Sequence, residues 1–372
     1  MNDKHHRQEL DPAASTSPKD ETAAPPERAE QLRADSPDIA EVLNELISRV
    51  GGDPTTYDGR LVRELLVAGL KLIPDGRDTG DLKLMAAALK ELRYAYRVFG
   101  QYPDRYKVTI FGSARTPPEH PDYKAAVDFG RMMAESDWMC ITGAGDGIMK
   151  AGHEGPGVEA SFGVAIRLPF ETTANTIITG DQKLIHFRYF FTRKLMFLSQ
   201  CDAVALFPGG FGTLDEAYET LTLVQTGKAS MIPIVMLEGE GNAYWEQWQD
   251  FVEEKLLARG LISPEDEYLY YIASSPKDAV EHIKKFYRNY HSSRYVRDDL
   301  VIRLKRRIKD EDVDRLTDEF SSLIARGSIV QRGPYEVEDD HLDLPRLAFT
   351  HTRYNYGLVR RLIDRINDCD PA

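Results

Sequence analysis

The stretch Pro208-Gly209-Gly210-Phe211-Gly212-Thr213-Leu214-Asp215-Glu216 decides the fold that we predict for this chain of 372 residues. It follows an apolar run of strand length, 202–207, and precedes a segment, 217–226, whose apolar residues recur at helical spacing. The stretch is therefore predicted to be a strand-loop-helix turn. Its glycines let the backbone approach a ligand closely, and the amides that open a helix attract an anion. We expect this turn to bind a phosphate.

The same turn also fits a purely structural role. Thr213 and Glu216 have the spacing of a capping box, in which each side chain satisfies a backbone amide of the first helical turn. The sequence alone leaves both roles open for Glu216.

Short apolar runs alternate with amphipathic segments on both sides of this turn, which predicts a parallel sheet covered by helices. The fold class that we predict is α/β, a doubly wound (Rossmann-like) parallel sheet over residues 101–290. A disordered tail (1–35) and a helical segment (36–100) precede it, and a small α+β extension (291–372) follows it. Predicted strands are 108–111, 138–142, 162–168, 202–207, 231–237 and 268–272, and predicted helices are 123–134, one from 148, 189–199, 214–226, 243–258 and 276–290.

The helical segment has a clear start. Ser36 precedes Pro37 and a run of apolar residues at helical spacing, so Ser36 is predicted to cap the helix and Pro37 to be its first residue.

The predicted topology gathers polar side chains at one edge of the sheet. In a parallel sheet each helix starts at the edge where the strands end. The loops that begin at Gly112 and Gly143 and the first turn of the helix 189–199 should therefore lie beside the Pro208–Glu216 turn. One crevice would hold phosphate-binding amides, cations and a carboxylate, with Ser113, Arg115, Gly145, Arg193 and Lys194 at its rim.

Composition limits the classes of function. The net charge of −13 would repel a nucleic-acid backbone, so a phosphate-bearing ligand should be small. The chain has no apolar run long enough for a membrane span and no apolar leader, so we expect a cytoplasmic protein without membrane contact. Its three cysteines are scattered, which argues against a disulfide framework and a zinc site.

Two other sites are considered and disfavoured. The loop at Gly143 has the pattern Gly-x-Gly-x-Gly after the second strand, whereas the dinucleotide fingerprint is Gly-x-Gly-x-x-Gly after the first. His153-Glu154 lacks the second histidine of a His-Glu-x-x-His zinc motif, and we expect this pair at the surface. No metal is predicted.

Several blocks together resemble the LOG (Lonely Guy) family of nucleoside 5'-monophosphate phosphoribohydrolases, formerly labelled lysine decarboxylases. The Pro208–Glu216 stretch with Arg193-Lys194-Leu195-Met196 is similar to the family's paired motif. Residues 111–115, 142–149 and 168–171 with Asn175 are similar to its other blocks. The chain departs from the family's Gly-Gly-Gly-Pro-Gly at 143–147, where Asp146 adds a negative charge.

The resemblance implies a function and roles for residues. It implies hydrolysis of the N-glycosidic bond of a nucleoside 5'-monophosphate, AMP or N6-modified AMP, by a homo-oligomer without cofactor. Arg193 and Glu216 would be catalytic, and Arg115 and Lys194 would be further contacts to phosphate or a neighbouring subunit. A non-catalytic nucleotide or molybdenum-cofactor carrier is the alternative, because such proteins share a similar fold and glycine motif. The phosphate and ribose would be bound by Gly112, Ser113, Gly143, Gly145, Gly209, Gly210, Gly212 and Thr213.

The C-terminal extension has its own pattern. We predict strands at 300–304, 328–331 and 344–350 and helices at 313–325 and 356–367. A basic cluster falls within it and is either a solvated face paired with the acidic residues 310–312 or a regulatory nucleotide site. The cluster comprises Arg303, Lys305, Arg306, Arg307 and Lys309.

Overall fold

The structure is a computed structural model that describes residues 33–166 and 174–372. Residues 1–32 of the predicted tail, and the similarity block at 168–171, lie outside the described residues. The described chain divides after Lys90 into two compact units. The first contains α1 (Pro37–Arg49), α2 (Tyr57–Lys71) and the beginning of α3 (Thr79–Phe99). The predicted start of α1 is confirmed, because Ser36 Oγ accepts a hydrogen bond from the Ile39 amide and Pro37 is the first helical residue.

The second unit is built on a seven-stranded parallel sheet. Its central strands are buried almost throughout, as expected when helices cover both faces of a sheet, and the two edge strands are partly buried. The predicted α/β fold class is confirmed. The strands are β1 (Lys107–Phe111), β2 (Met139–Thr142), β3 (Ser161–Ile166), β4 (Leu184–Phe187), β5 (Ala203–Leu206), β6 (Ile234–Met236) and β7 (Tyr271–Ile272).

Helices connect these strands in the manner of a doubly wound fold. They are α4 (Pro121–Glu135), α5 (Ile148–Glu154), α6 (Phe190–Ser199), α7 (Phe211–Gln225), α8 (Tyr244–Phe251), which continues as a π-helical turn (Val252–Leu257), and α9 (Pro276–Phe286).

The strand order places a switch point next to the glycine turn. The order is β4-β3-β2-β1-β5-β6-β7, so the chain moves outward from β1 to β4 and then returns to place β5 on the other side of β1. Val108 of β1 pairs with Ala203 of β5, and Lys107 pairs with Met139 of β2. Ligands of open α/β sheets bind at the carboxyl ends of strands where the order reverses. In this chain that place lies between the loops after β1 and β5.

A second, antiparallel sheet follows. Its order is β10-β11-β9-β8, with α10 (Asp310–Glu319) and α11 (Tyr356–Asp368) beside it. One hydrophobic cluster runs from Ala95 to Ile366, so this sheet shares its core with the parallel sheet. The strands are β8 (Tyr290–Val296), β9 (Asp299–Leu304), β10 (Ile324–Arg332) and β11 (Arg346–His351).

Three elements differ from the sequence-based prediction. β4 was not predicted, because it has only four residues at the edge of the sheet. β8 was not predicted either, since half of its residues are polar and it begins at Tyr290, where a helix was expected to end. The helix predicted over 313–325 was wrong in its second half, because α10 ends at Glu319 and β10 begins at Ile324.

The predicted basic cluster is not one surface. Arg303 is buried and its guanidinium contacts the carboxylates of Glu338 and Asp340, the first at 2.8 Å. Lys305 donates a hydrogen bond to the Tyr287 carbonyl at 2.6 Å. Arg303 therefore does not belong to an exposed basic face, whereas Lys305, Arg306, Arg307 and Lys309 are exposed.

Candidate active site

The glycine turn opens α7 directly. The helix begins at Phe211 with Gly210 as its N-cap, and no side chain caps it. Thr213 is therefore the third helical residue and Glu216 the sixth. The capping-box alternative is wrong, because the helix starts at Phe211, three residues before the position that a Thr213 cap requires. The first amides of α7 have no carbonyl four residues earlier within the helix.

Gly209 is held on both sides by its neighbours. Tyr244 Oη donates a hydrogen bond to the Gly209 carbonyl at 2.7 Å. A Cβ atom at Gly209 would overlap the Thr213 side chain and lie 3.1 Å from the Ser113 amide nitrogen. Only glycine fits at this position, and its carbonyl is held by Tyr244.

The loop after β1 packs against this turn. The Ser113 amide donates to the Pro208 carbonyl at 3.1 Å, and the Ser113 carbonyl accepts from the Ile148 amide at 3.0 Å. Gly112 has no room for a side chain, because a Cβ atom would lie 2.6 Å from Ile148. The Arg115 amide donates to Ser113 Oγ at 3.1 Å, while the side chain of Arg115 is exposed. The structure thus brings Gly112 and Ser113 to the turn and leaves Arg115 at the rim.

Asn175 holds the loop after β2 through two hydrogen bonds. The backbone amide of Asn175 donates to the Ala144 carbonyl at 2.8 Å, and its side-chain amide donates to the Gly145 carbonyl at 3.0 Å. Both carbonyls are therefore turned inward. The side chain of Asp146, the residue that departs from the family pattern, is exposed.

His153 supports Asn175 and is buried, so the expectation that it lies at the surface was wrong. Its Nε2 lies 3.0 Å from the Phe162 carbonyl oxygen, which can only accept, so Nε2 carries the proton. Its Nδ1 lies 3.1 Å from the Asn175 side-chain nitrogen and accepts from it. Burial lowers the pKa of His153, which keeps the ring neutral in this arrangement. A single histidine near the end of α5 gave no sign of this role in the sequence.

Arg193 reaches the same loop from α6. Its Nε donates to the Val164 carbonyl in β3 at 2.8 Å, and its guanidinium lies 5.0 Å from the centre of the Phe197 ring. A Cβ atom at Gly143 would overlap the Arg193 guanidinium. Gly143 is therefore needed for the close approach of this cation rather than for a turn.

Glu216 is a buried carboxylate whose Oε2 has no hydrogen-bond partner among the described residues. It lies three residues after Thr213, so the two side chains share one face of α7 about 5 Å apart along the helix axis. Burial raises the pKa of Glu216 to about 7, although Lys194 and Arg193 oppose the shift. Buried carboxylates are normally paired, and an unpaired one with a raised pKa is typical of a functional site.

Lys194 lies among carboxylates. Its Nζ is 2.6 Å from Glu219 Oε2, 2.9 Å from Asp215 Oδ2 and 3.7 Å from Glu216 Oε2. Burial lowers the pKa of Lys194, but the hydrogen bonds to Glu219 and Asp215 outweigh it and the net shift is upward. The sequence-based analysis assigned no role to Asp215, Glu219 or Tyr244.

The described residues show neither a metal cluster nor a membrane-spanning helix. No cluster of histidine, cysteine, aspartate and glutamate side chains in 33–166 and 174–372 is arranged to hold a metal ion. Over the same ranges, no helix combines the length and the apolar character that crossing a membrane requires.

Comparisons with known proteins agree with this geometry. Residues 142–283 match the family model described as "Possible lysine decarboxylase". The chain is 26% identical over 167 residues to a probable cytokinin riboside 5'-monophosphate phosphoribohydrolase of Oryza sativa subsp. japonica, covering 44% of this chain and 65% of that protein. It is 28% identical over 188 residues to a cytokinin riboside 5'-monophosphate phosphoribohydrolase of Arabidopsis thaliana, covering 49% of this chain and 83% of that protein.

Solved structures similar to the chain include two molybdenum-cofactor proteins. One is the molybdenum cofactor binding protein of Rippkaea orientalis, with 22% identity, a TM-score of 0.34 and coverage of 48% of this chain and 96% of that one. The other is the molybdenum cofactor carrier protein of Chlamydomonas reinhardtii, with 17% identity, a TM-score of 0.35 and coverage of 49% of this chain and 97% of that one.

The decarboxylase description does not fit the site. A pyridoxal phosphate enzyme needs a lysine that is readily deprotonated to form a Schiff base. The raised pKa of Lys194 is the opposite property. The matched model and the named relatives instead confirm that the region around the glycine turn resembles the LOG family.

Proposed function

We propose that the chain hydrolyses the N-glycosidic bond of a nucleoside 5'-monophosphate, AMP or an N6-modified AMP, to the free base and ribose 5-phosphate. The activity for which these relatives are named supports the reaction class. The single observation that carries the proposal is Glu216, a buried carboxylate whose Oε2 accepts no hydrogen bond among the described residues, on the helix that the glycine turn opens.

The turn supplies the phosphate site. Amides at the start of α7 carry partial positive charge, which stabilises an anion there. The Thr213 hydroxyl lies at the same end of the helix. Gly210 and Gly212 have no heavy atom within 4 Å of an added Cβ, so this side of the turn is open to a ligand.

Glu216 supplies the chemistry. Loss of the base leaves an oxocarbenium-like sugar, which a carboxylate stabilises or to which it directs water. The water adds its oxygen to the anomeric carbon, one proton passes to the leaving base, and no other co-reactant is needed. A pKa of about 7 allows the carboxyl group to accept and return a proton near neutral pH. Arg193, close to Glu216 and anchored on β3, would orient the sugar phosphate.

The test is release of free base. The purified protein is incubated separately with AMP, GMP, CMP, IMP and N6-prenylated AMP, and the base is measured by chromatography. Glu216→Gln should abolish release while binding of AMP persists. Glu246→Gln, which makes the same change on an exposed position of α8, should release base at the wild-type rate.

The alternative is a non-catalytic nucleotide or molybdenum-cofactor carrier. The wild-type protein would then bind nucleotide without releasing base from any of the five substrates. That result would overturn the hydrolase proposal.

We further propose that the protein acts as a homo-oligomer. Three phenylalanines flank the turn and the start of α6 with half or more of their surface exposed: Phe190, Phe191 and Phe211, the last at 94%. Large apolar side chains exposed together support contact with another subunit. Light scattering coupled to size exclusion should give a mass above the 42.1 kDa of one chain, and a monomer at micromolar concentration would contradict this.

A further inference from the structure

We propose that Lys194 is a positioning residue for Glu216, held in place by Asp215 and Glu219, and not a ligand of the substrate phosphate. This inference rests on the proposed function, since it concerns the group that we assign to the reaction. It departs from the expectation that Lys194 contacts a phosphate or a neighbouring subunit.

The first support is the geometry around the ammonium group. Lys194 Nζ makes contacts of 2.6 Å with Glu219 and 2.9 Å with Asp215, and a lysine has three protons to donate. The remaining direction leads to Glu216 Oε2 at 3.7 Å, which is within ion-pair range but too long for a hydrogen bond. Binding a phosphate would require the ammonium group to leave these carboxylates.

The second support is that the two flanking acids belong to the helix that carries Glu216. Asp215 precedes Glu216, and Glu219 follows it by three residues on α7, while Lys194 comes from α6. The flanking pair therefore fixes the distance between the cation and the carboxylate. The side chain of Lys194 is only 18% exposed, so its charge is poorly screened by water.

The third support is the balance of charge at Glu216. The charged groups that face it are Lys194 and Arg193 from α6 and Asp215 and Glu219 from α7. Burial raises the pKa of Glu216, and Lys194 is the largest influence in the other direction. Lys194 thus determines how much of Glu216 is ionised near neutral pH, without touching the substrate.

The sign of each substitution follows from this arrangement. Lys194→Met removes the cation, so the pKa of Glu216 should rise. Asp215→Asn and Glu219→Gln remove negative charge and leave Lys194 with fewer competing partners, so the pKa of Glu216 should fall. Lys194→Arg keeps the charge and should restore most of the wild-type behaviour.

The experiment measures kcat/KM for AMP from pH 5 to pH 9 in the wild-type protein and these four variants. The acidic limb, where Glu216 loses its proton, should move up by about one pH unit in Lys194→Met, which is about a tenfold loss of rate on that limb. It should move down in Asp215→Asn, whose substituted side chain is 65% exposed and not needed for packing. A higher KM for AMP in Lys194→Met with an unchanged limb would overturn the proposal in favour of a phosphate ligand.

A second readout works without turnover. The carboxyl carbons of glutamate are labelled with 13C, and the Glu216 signal is identified by its absence in Glu216→Gln. Its titration midpoint should shift upward in Lys194→Met and downward in Asp215→Asn. If these shifts occur in a protein that releases no base, the proposed reaction fails and the role of Lys194 stands. If neither midpoint moves, the role of Lys194 fails whatever the reaction.

Discussion

Replacing Glu216 by glutamine should make the protein more stable at alkaline pH and inactive at every pH. Burial raises the pKa of this carboxyl group from 4.5 to about 7 in the folded protein. Folding therefore favours the protonated form. The contribution of this one group to stability is most favourable below pH 4.5 and falls as pH rises through 4.5 toward 7, after which the cost is constant.

The size of this effect on stability follows from the two pKa values of Glu216, in the unfolded and in the folded protein. A shift of 2.5 units corresponds to about 3.4 kcal/mol at high pH, of which about 2.5 kcal/mol develops between pH 5 and pH 8. Glutamine has the same shape and no charge to bury. The stability difference between Glu216→Gln and the wild-type protein should therefore increase by about 2.5 kcal/mol from pH 5 to pH 8.

The assay is urea denaturation of both proteins at the two pH values, followed by tryptophan fluorescence. Comparing differences across pH removes any constant effect of the buried amide. Glu246→Gln on exposed helix surface should change by much less than 1 kcal/mol between the same conditions. A difference that stays flat for Glu216→Gln would refute the desolvated state that the structure assigns to this carboxylate.

Three further substitutions test the loops around the site. Gly209→Ala should lose nucleotide binding and about 1 to 3 kcal/mol of stability, because its methyl group would overlap Thr213. The control Gly210→Ala has open space around its methyl group and should keep the stability of the wild-type protein. Calorimetry with AMP measures binding, and urea denaturation measures stability. Tyr244→Phe removes the hydrogen bond to the Gly209 carbonyl and should lower the free energy of unfolding by about 1 kcal/mol and raise KM for AMP. Wild-type values in urea denaturation and in KM would show that this bond does not hold the turn. Asn175→Ala keeps the backbone bond to the Ala144 carbonyl but removes the side-chain hydrogen bonds to the Gly145 carbonyl and to His153. It should lower the melting temperature and weaken AMP binding. A lower melting temperature with unchanged binding would show that this side chain does not support the ligand site.

The sequence was sufficient for features that depend on local pattern. Apolar runs alternating with helical periods predicted the parallel sheet, because a strand buried on both faces must be apolar throughout. The glycine turn was predicted because glycine lets the backbone approach a ligand closely, and the start of α1 because proline has a fixed φ that suits the first helical position. β4 and β8 were not predicted, since β4 is very short and β8 is half polar.

The sequence by itself determined which residues could do chemistry at this edge of the sheet: a glycine turn, an arginine and a carboxylate. Only the tertiary structure decided what each does. Whether Glu216 caps a helix or stays unpaired depends on where α7 begins, and Lys194 meets Asp215 and Glu219 only because α6 packs beside α7. The residues that bury a side chain or place a charge beside it come from segments far apart in the chain. The spacing of residues within one segment carries no information about the distances between such segments.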